Sequence, residues 1–219
     1  MNLTQELQEL RDTEPEKLGP QNTELFRDAI DDLSRSGIVD RSIKVGDSAP
    51  DFELTNQAGD RVRLSERLEH GPTIVSFYRG GWCPYCNIEM QGLQSAMSQI
   101  EGLGAHILAI SPQRPDKAAE MSKDHGLTFD LLSDPQNSVA QQFGIVFHLH
   151  DEIQNVYDDL GLELPVWNDD DSFDLPVPAT YVIDRQSIIQ VAFVDPDYTR
   201  RLDPTEIIRI LRSISDTHE

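Results

Sequence analysis

The chain has 219 residues, 38% of them hydrophobic, which suits one well-packed domain with extensions and leaves little room for two. A formal charge of −21 argues against nucleic acid or an anionic membrane as partner, because both reward a basic face. No apolar run approaches the roughly 20 residues of a membrane helix. Residues 1–11 lack the basic start and apolar centre of a secretory signal, so a cytoplasmic location is expected.

In chain order, residues 1–40 read as an N-terminal helical extension and residues 41–219 as the main domain. Leu3, Leu7 and Leu10 form one apolar stripe, and Leu25, Phe26, Ile30 and Leu33 form another within residues 23–36. Gly19 and Pro20 separate the two helices, and Gly37 has the character of a helix stop. The extension is expected to dock on the domain or on a second subunit of a homodimer. Short extended pieces are predicted at 52–54 and 61–64, around a turn at 56–60. The β-branched and aromatic run 73–78 predicts a buried central strand. A helix follows Cys83, with Met90, Leu93, Met97 and Ile100 on one face, and then come strand 106–110, helix 115–125, strand 129–132 and helix 138–143. This alternation predicts an α/β fold with a partly parallel sheet. Residues 145–174 interrupt it with one predicted helix, 151–160, and an acidic loop. Strands 179–184 and 188–194 read as a hairpin on one sheet edge, and a helix over 204–214 ends the pattern. Residues 124–184 hold thirteen carboxylates and no Lys or Arg. That is either a solvated face or a surface selecting a basic-rimmed partner.

Two cysteines, three residues apart, make a poor stabilising scaffold and point instead to chemistry. Around them run a strand, a Gly80-Gly81 turn, and Trp82-Cys83-Pro84-Tyr85-Cys86 opening a helix. Pro84 suits the first helical position, where a missing N–H is harmless. Cys83 then falls at the N-cap and Cys86 in the first turn, where free N–H groups and the helix dipole favour thiolate. One sulfur could attack and the other resolve the product. Zinc would need two further ligands, and His148 and His150 lack a matching spacing. The acidic loop 168–174 lacks the glycine and terminal glutamate of a calcium-binding hand. Neither a metal nor a cofactor is therefore expected.

The run Val45-Gly46-Asp47-Ser48-Ala49-Pro50-Asp51-Phe52, the strand into Phe77-Tyr78, and the late strand 179–184 resemble peroxiredoxins of the alkyl hydroperoxide reductase / thiol-specific antioxidant family over about residues 43–215. Trp82 to Cys86 is similar to thioredoxin and glutaredoxin sites, so the closest likeness is to a peroxiredoxin-like subgroup carrying Cys-x-x-Cys. The resemblance implies a thioredoxin-like fold, a central mixed sheet flanked by helices, with the extension and an insertion before the final hairpin. On the family pattern Pro-x-x-x-Thr-x-x-Cys with a distant arginine, the peroxide-attacking cysteine is Cys86. The threonine position is Cys83, the proline position Arg79 and the arginine position Pro178. The usual stabilisers of the developing charge are thus replaced, with Arg79 as a candidate substitute cation. Set against thioredoxins, Pro178 takes the place of a cis-proline beside the dithiol. Trp82 would shield the sulfurs, and Tyr85 lies between them.

Three functions follow. The first is a thiol peroxidase that passes through a Cys86 sulfenic acid to a Cys83–Cys86 disulfide, reduced by thioredoxin or glutathione. The second is a dithiol–disulfide oxidoreductase with Cys83 as nucleophile. The third is a redox-responsive binding protein without catalysis. The substrate is accordingly a hydroperoxide or a disulfide.

Overall fold

A computed structural model describes residues 3–216. The first helix, α1 (Leu3–Arg35), breaks at Gly19, whose φ of 77° and ψ of 162° are non-helical. Pro20 then begins the second half at a position where its missing N–H is harmless. A single turn, α2 (Ile38–Arg41), follows the left-handed Gly37. Next come β1 (Glu53–Asn56), β2 (Arg61–Arg63), α3 (Leu64–His70), β3 (Thr73–Phe77) and α4 (Pro84–Gly102). The chain continues through β4 (His106–Ser111), α5 (Pro115–His125), β5 (Asp130–Ser133) and α6 (Ser138–Gln142). The insertion holds β6 (Val146–His148), α7 (Asp151–Asp159), α8 (Leu164–Asn168) and β7 (Asp174–Pro176). Strands β8 (Ala179–Ile183) and β9 (Ile189–Val194) and helix α9 (Pro204–Asp216) complete the fold.

The main sheet has the order β2-β1-β5-β4-β3-β8-β9. Strands β3, β4 and β5 run parallel, and the remaining pairings are antiparallel. The architecture is the expected central mixed sheet flanked by helices, with the β8–β9 hairpin at one edge. Every residue of β3 is buried, as its apolar run requires of a strand covered on both faces. One face packs Ile74, Ile107, Leu131 and Val182 beneath α4, α5 and α9. The other packs Val75, Phe77, Leu108, Ile110 and Tyr181 beneath α2, α3 and α6. Strand β3 therefore delivers its C-terminal end, and the start of α4, into the middle of the molecule.

Three expectations change. Residue 64 opens a helix instead of closing a strand, because Leu64 and Leu68 sit one turn apart on a buried face. Strand β2 is correspondingly only three residues long. The insertion is more than a helix and a loop: β6 and β7 pair antiparallel, and α8 follows α7. Three-residue strands are too short to display an alternating pattern. The insertion packs Ile153, Val156, Tyr157, Leu164 and Leu175 around Phe26 of α1, so extension and insertion share a small core of their own. Leu3 and Leu7 of α1 are buried in the main core beside α4, so the extension docks on its own chain.

Candidate active site

The turn joining β3 to α4 is built by glycine and side-chain bonds. Gly80 has φ of 149°, and a Cβ there would lie 2.4 Å from the Trp82 ring, so only glycine fits. The Gly81 N–H donates to Gln113 Oε1 at 2.8 Å, and Asn87 Nδ2 donates to the Gly81 carbonyl at 3.0 Å. Gln113 also donates to the Tyr78 hydroxyl at 2.9 Å, which ties β3, the turn and the loop after β4 together. Cys83 is the N-cap of α4 in extended conformation, and Pro84 occupies the first turn, as the sequence predicts.

Both cysteines are free thiols with 0% exposure. Arg79 Nη2 lies 3.1 Å from Cys83 Sγ, and Arg201 Nη2 lies 3.3 Å from Cys86 Sγ. The two guanidinium groups have different company. Arg201 is fully paired inside the protein with Glu89, whose other oxygen accepts from Ser76 Oγ at 2.9 Å. Arg79 has no carboxylate within 4 Å among the described residues; its polar partners are the Tyr157 hydroxyl at 3.1 Å and Cys83 itself. A buried guanidinium cannot shed its proton and needs a counter-ion. Cys83 is the anion in contact with it.

Burial pushes both thiols up, and neighbours then separate them. At Cys83 the hydrogen bond from Cys86 and the charges of Arg79 and Arg201 outweigh burial and hold the thiol well below its ordinary range. At Cys86 burial, the hydrogen bond to Cys83 and the negative charge of Cys83 all act upward, and the two arginines do not offset them. The pair titrates as a unit: one proton leaves readily and the second is retained. The thiol held down is Cys83, the one beside Arg79, and the one held up is Cys86. Burial likewise raises the Glu89 carboxyl, with Arg201 the main opposing influence.

An aromatic shell covers this centre. Arg79 stacks 4.0 Å from the Tyr198 ring centre and 5.0 Å from that of Trp82. Trp82 in turn meets Tyr157 edge-on at 5.4 Å. Tyr85 is buried and donates to Glu14 Oε2 of α1 at 2.7 Å. Between α1 and α7 opens a pocket of about 330 Å³, lined by Leu10, Lys17, Phe26, Arg79, Trp82 and Leu162 among others. Pro178 is buried and lines a separate small cavity with Arg79, Tyr157 and Tyr198. Its peptide bond is trans, which corrects the expected cis-proline. The Val177 N–H donates to the Ile145 carbonyl and Ala179 pairs with Phe77, so the chain runs extended straight through Pro178 into β8. The ordinary trans preference of about 0.5–1 kcal/mol then stands unopposed.

Sequence reasoning named Cys83, Cys86, Arg79, Trp82, Pro84, Tyr85 and Pro178, and the structure places them around Arg79 and the start of α4. It missed Arg201, Glu89, Tyr198, Glu14 and Gln113. Glu89 carried a signal, since it lies one turn after Cys86 among Met90 and Leu93 on the buried side of α4. A carboxylate there requires a buried cation. Arg201 had no such mark, sitting in the irregular stretch before α9. It supplies a positive charge beside Cys86 that the arginine position, held by Pro178, does not.

A pair of cysteines at a helix start, on a central mixed sheet, defines a thioredoxin-fold thiol protein. Residues 45–192 match the AhpC/TSA family, and the chain belongs to it. A putative peroxiredoxin bcp of Haemophilus influenzae is 38% identical over 103 residues, 47% of this chain and 66% of that protein. Peroxiredoxin Bcp of Escherichia coli K12 is 34% identical over 103 residues, again 47% of this chain and 65% of that protein. The matched stretch thus spans just under two thirds of these relatives' own length. Among solved structures, peroxidoxin BcpB of Mycobacterium tuberculosis superposes with a TM-score of 0.62 at 26% identity, covering 78% of this chain and 98% of that one.

Proposed function

We propose that the chain is a thiol-dependent peroxidase in which Cys83, and not the family position Cys86, attacks first. The observation that carries this reading is the pairing of charges: Arg79 with the Cys83 sulfur and Arg201 with Glu89. Membership of the AhpC/TSA family supports the reaction class. The Cys83 thiolate attacks the terminal peroxide oxygen, the O–O bond breaks, and Cys83 becomes a sulfenic acid while the alkoxide takes a proton from solvent. Arg79 Nη2, next to the sulfur, stabilises the charge that develops on the departing oxygen. The Cys86 sulfur, in the first turn of the helix that Cys83 caps, then displaces hydroxide, which leaves as water with the Cys86 proton. The net change is one hydroperoxide to alcohol and water, with two thiol sulfurs oxidised to a disulfide. Arg201 beside Cys86 helps that second step by favouring its thiolate once the charge on Cys83 has gone. A reducing compartment such as the cytoplasm suits two cysteines that must return to the free state.

A second reading, a dithiol–disulfide oxidoreductase, is favoured by the low-lying Cys83 thiol at a helix N-cap. The complete burial of both sulfurs speaks against a protein disulfide as substrate. The test is stopped-flow oxidation by hydrogen peroxide and by an organic hydroperoxide, with sulfenic acid trapped in Cys83→Ser and Cys86→Ser. Cys86→Ser should trap sulfenate at Cys83 at near the wild-type rate, and Cys83→Ser should react at least tenfold more slowly. A Cys83→Ser protein oxidised at the full rate would return the attack to Cys86. Peroxide inertness of the wild type, together with insulin reduction, would leave the second reading.

A further inference from the structure

In the first half of α1, Thr4, Leu7 and Arg11 follow one another at spacings of three and four, so they share one face of the helix. Leu7 carries that face into the main core, and Thr4 Oγ1 donates to Asp203 Oδ2 at 3.0 Å, just ahead of α9. Arg11 has no such partner. Its Nε is closed to solvent without a hydrogen bond, and no carboxylate lies within 4 Å of its guanidinium among the described residues. A sealed cationic donor left unmet is costly. The chain has 39 acidic residues that could have met it, and none of the described ones does.

Beside Arg11 opens a cavity of about 290 Å³, between α1 and the segment 193–201, lined by Thr4, Arg11, Phe193, Asp195, Arg200 and Arg201 among others. It shares no wall residue with the pocket beside Arg79. We infer that this cavity binds the phosphate group of a small molecule, which pins the first half of α1 to the segment before α9.

The three arginines play different parts. Arg201 is fixed: its side chain is 1% exposed, Glu89 holds its charge, and its Nη1 donates to the Tyr198 and Arg200 carbonyls. Arg200 is free to turn. Its side chain is 60% exposed, and it reaches Asp197 at 3.2 Å and Asp195 at 3.8 Å, ion pairs of the weak surface kind. Neither aspartate is orphaned if Arg200 leaves. Asp197 accepts from the Thr199 N–H at 3.0 Å and its hydroxyl at 2.7 Å, and Asp195 accepts from the Asp197 N–H at 3.0 Å. Arg11 and Arg200 thus offer two guanidinium forks from two elements, against one lining carboxylate, Asp195. A carboxylate ligand has one edge and one charge, enough for a single fork. A phosphate group has up to two charges and oxygens pointing in several directions, so it serves both forks at once. The cavity also exceeds a bare oxyanion in size and leaves room for a small organic remainder.

Calorimetric titration of the whole protein with inorganic phosphate, at an ionic strength held constant with sodium chloride, tests the site. Binding should saturate at one equivalent with a Kd below about 1 mM, and acetate should bind about tenfold more weakly. Glycerol 3-phosphate identifies the source: tighter binding than inorganic phosphate names a monoester, and equal or weaker binding names free phosphate. Arg11→Gln should weaken phosphate about tenfold, Arg11→Lys should restore part of the loss, and Lys123→Gln, at an exposed position of α5, should change nothing. Because Arg11 has no partner in the protein, Arg11→Gln should keep the wild-type melting temperature in phosphate-free buffer. Saturating phosphate should slow amide exchange in residues 3–18 about threefold in the wild type and leave Arg11→Gln unaffected. Heats that never saturate, phosphate binding indifferent to Arg11, or acetate bound as tightly as phosphate would each overturn the inference. So would an Arg11→Gln protein that melts lower without phosphate, since Arg11 would then be part of the packing.

Discussion

At Cys83 the decisive fact is a cation with nowhere else to go. Arg79 is 4% exposed and lies among aromatic rings, so among the described residues its charge is balanced in contact only by the sulfur 3.1 Å away. Desolvation alone would make a buried thiol inert; the hydrogen bond from Cys86, with the charges of Arg79 and Arg201, reverses the sign. Replacing Arg79 by a side chain of similar volume without charge removes one of the influences that hold the thiol down and, in the proposed cycle, the group that meets the leaving oxygen. Arg79→Met should move the pH midpoint of Cys83 alkylation upward by more than one unit and slow peroxide oxidation by about 10²-fold. An unchanged alkylation midpoint would mean that the helix start, and not Arg79, sets the thiolate.

Helix α1 links the sequence-distant parts of the site. Its first half reaches the main core through Leu3 and Leu7, and its second half reaches the insertion through Phe26. Between these anchors, Glu14 meets Tyr85, the residue set between the two cysteines. That hydrogen bond joins α1 to the first turn of α4 and contributes about 1 kcal/mol, as a partly exposed charged acceptor should. Tyr85→Phe is expected to speed amide exchange in residues 3–18 about fivefold and to quicken Cys83 alkylation, with little change in the melting temperature. Exchange as slow as in the wild type would show that apolar packing alone holds α1.

For the whole molecule, the split thiol pair makes stability depend on pH and on redox state. Cys83 is held down in the folded state, so its contribution is present above the unfolded thiol value of about 8.5 and is lost as pH falls toward its folded value. Cys86 is held up, so its contribution is present below about 8.5 and is lost as pH rises toward its folded value. The sum is greatest near the unfolded value. The melting temperature of the dithiol form, measured relative to that of the disulfide form, should therefore rise from pH 6.5 to about 8.5 and fall beyond it. The subtraction cancels Glu14, Glu89 and the buried tyrosines, which titrate in both forms. Parallel curves for the two forms would contradict the assigned thiolate.

The strand–turn–helix with Cys83 and Cys86 at the helix start was legible because it is local: Gly80, Pro84 and the apolar run of β3 dictate it within fifteen residues. The alternation of buried strands and helices likewise pointed to an α/β fold with a partly parallel sheet and the β8–β9 hairpin, while the strand order waited for the tertiary structure. Which sulfur holds the charge was not legible, since the answer depends on Arg201 finding Glu89 and leaving Arg79 to Cys83, across 112 positions of chain in the first case. The cover over the site was hidden for the same reason. Nothing in the first 35 residues or in the insertion says that Phe26 meets Tyr157 or that Glu14 meets Tyr85. Propensity and periodicity act between near neighbours, whereas charge balance and access are properties of the packed whole.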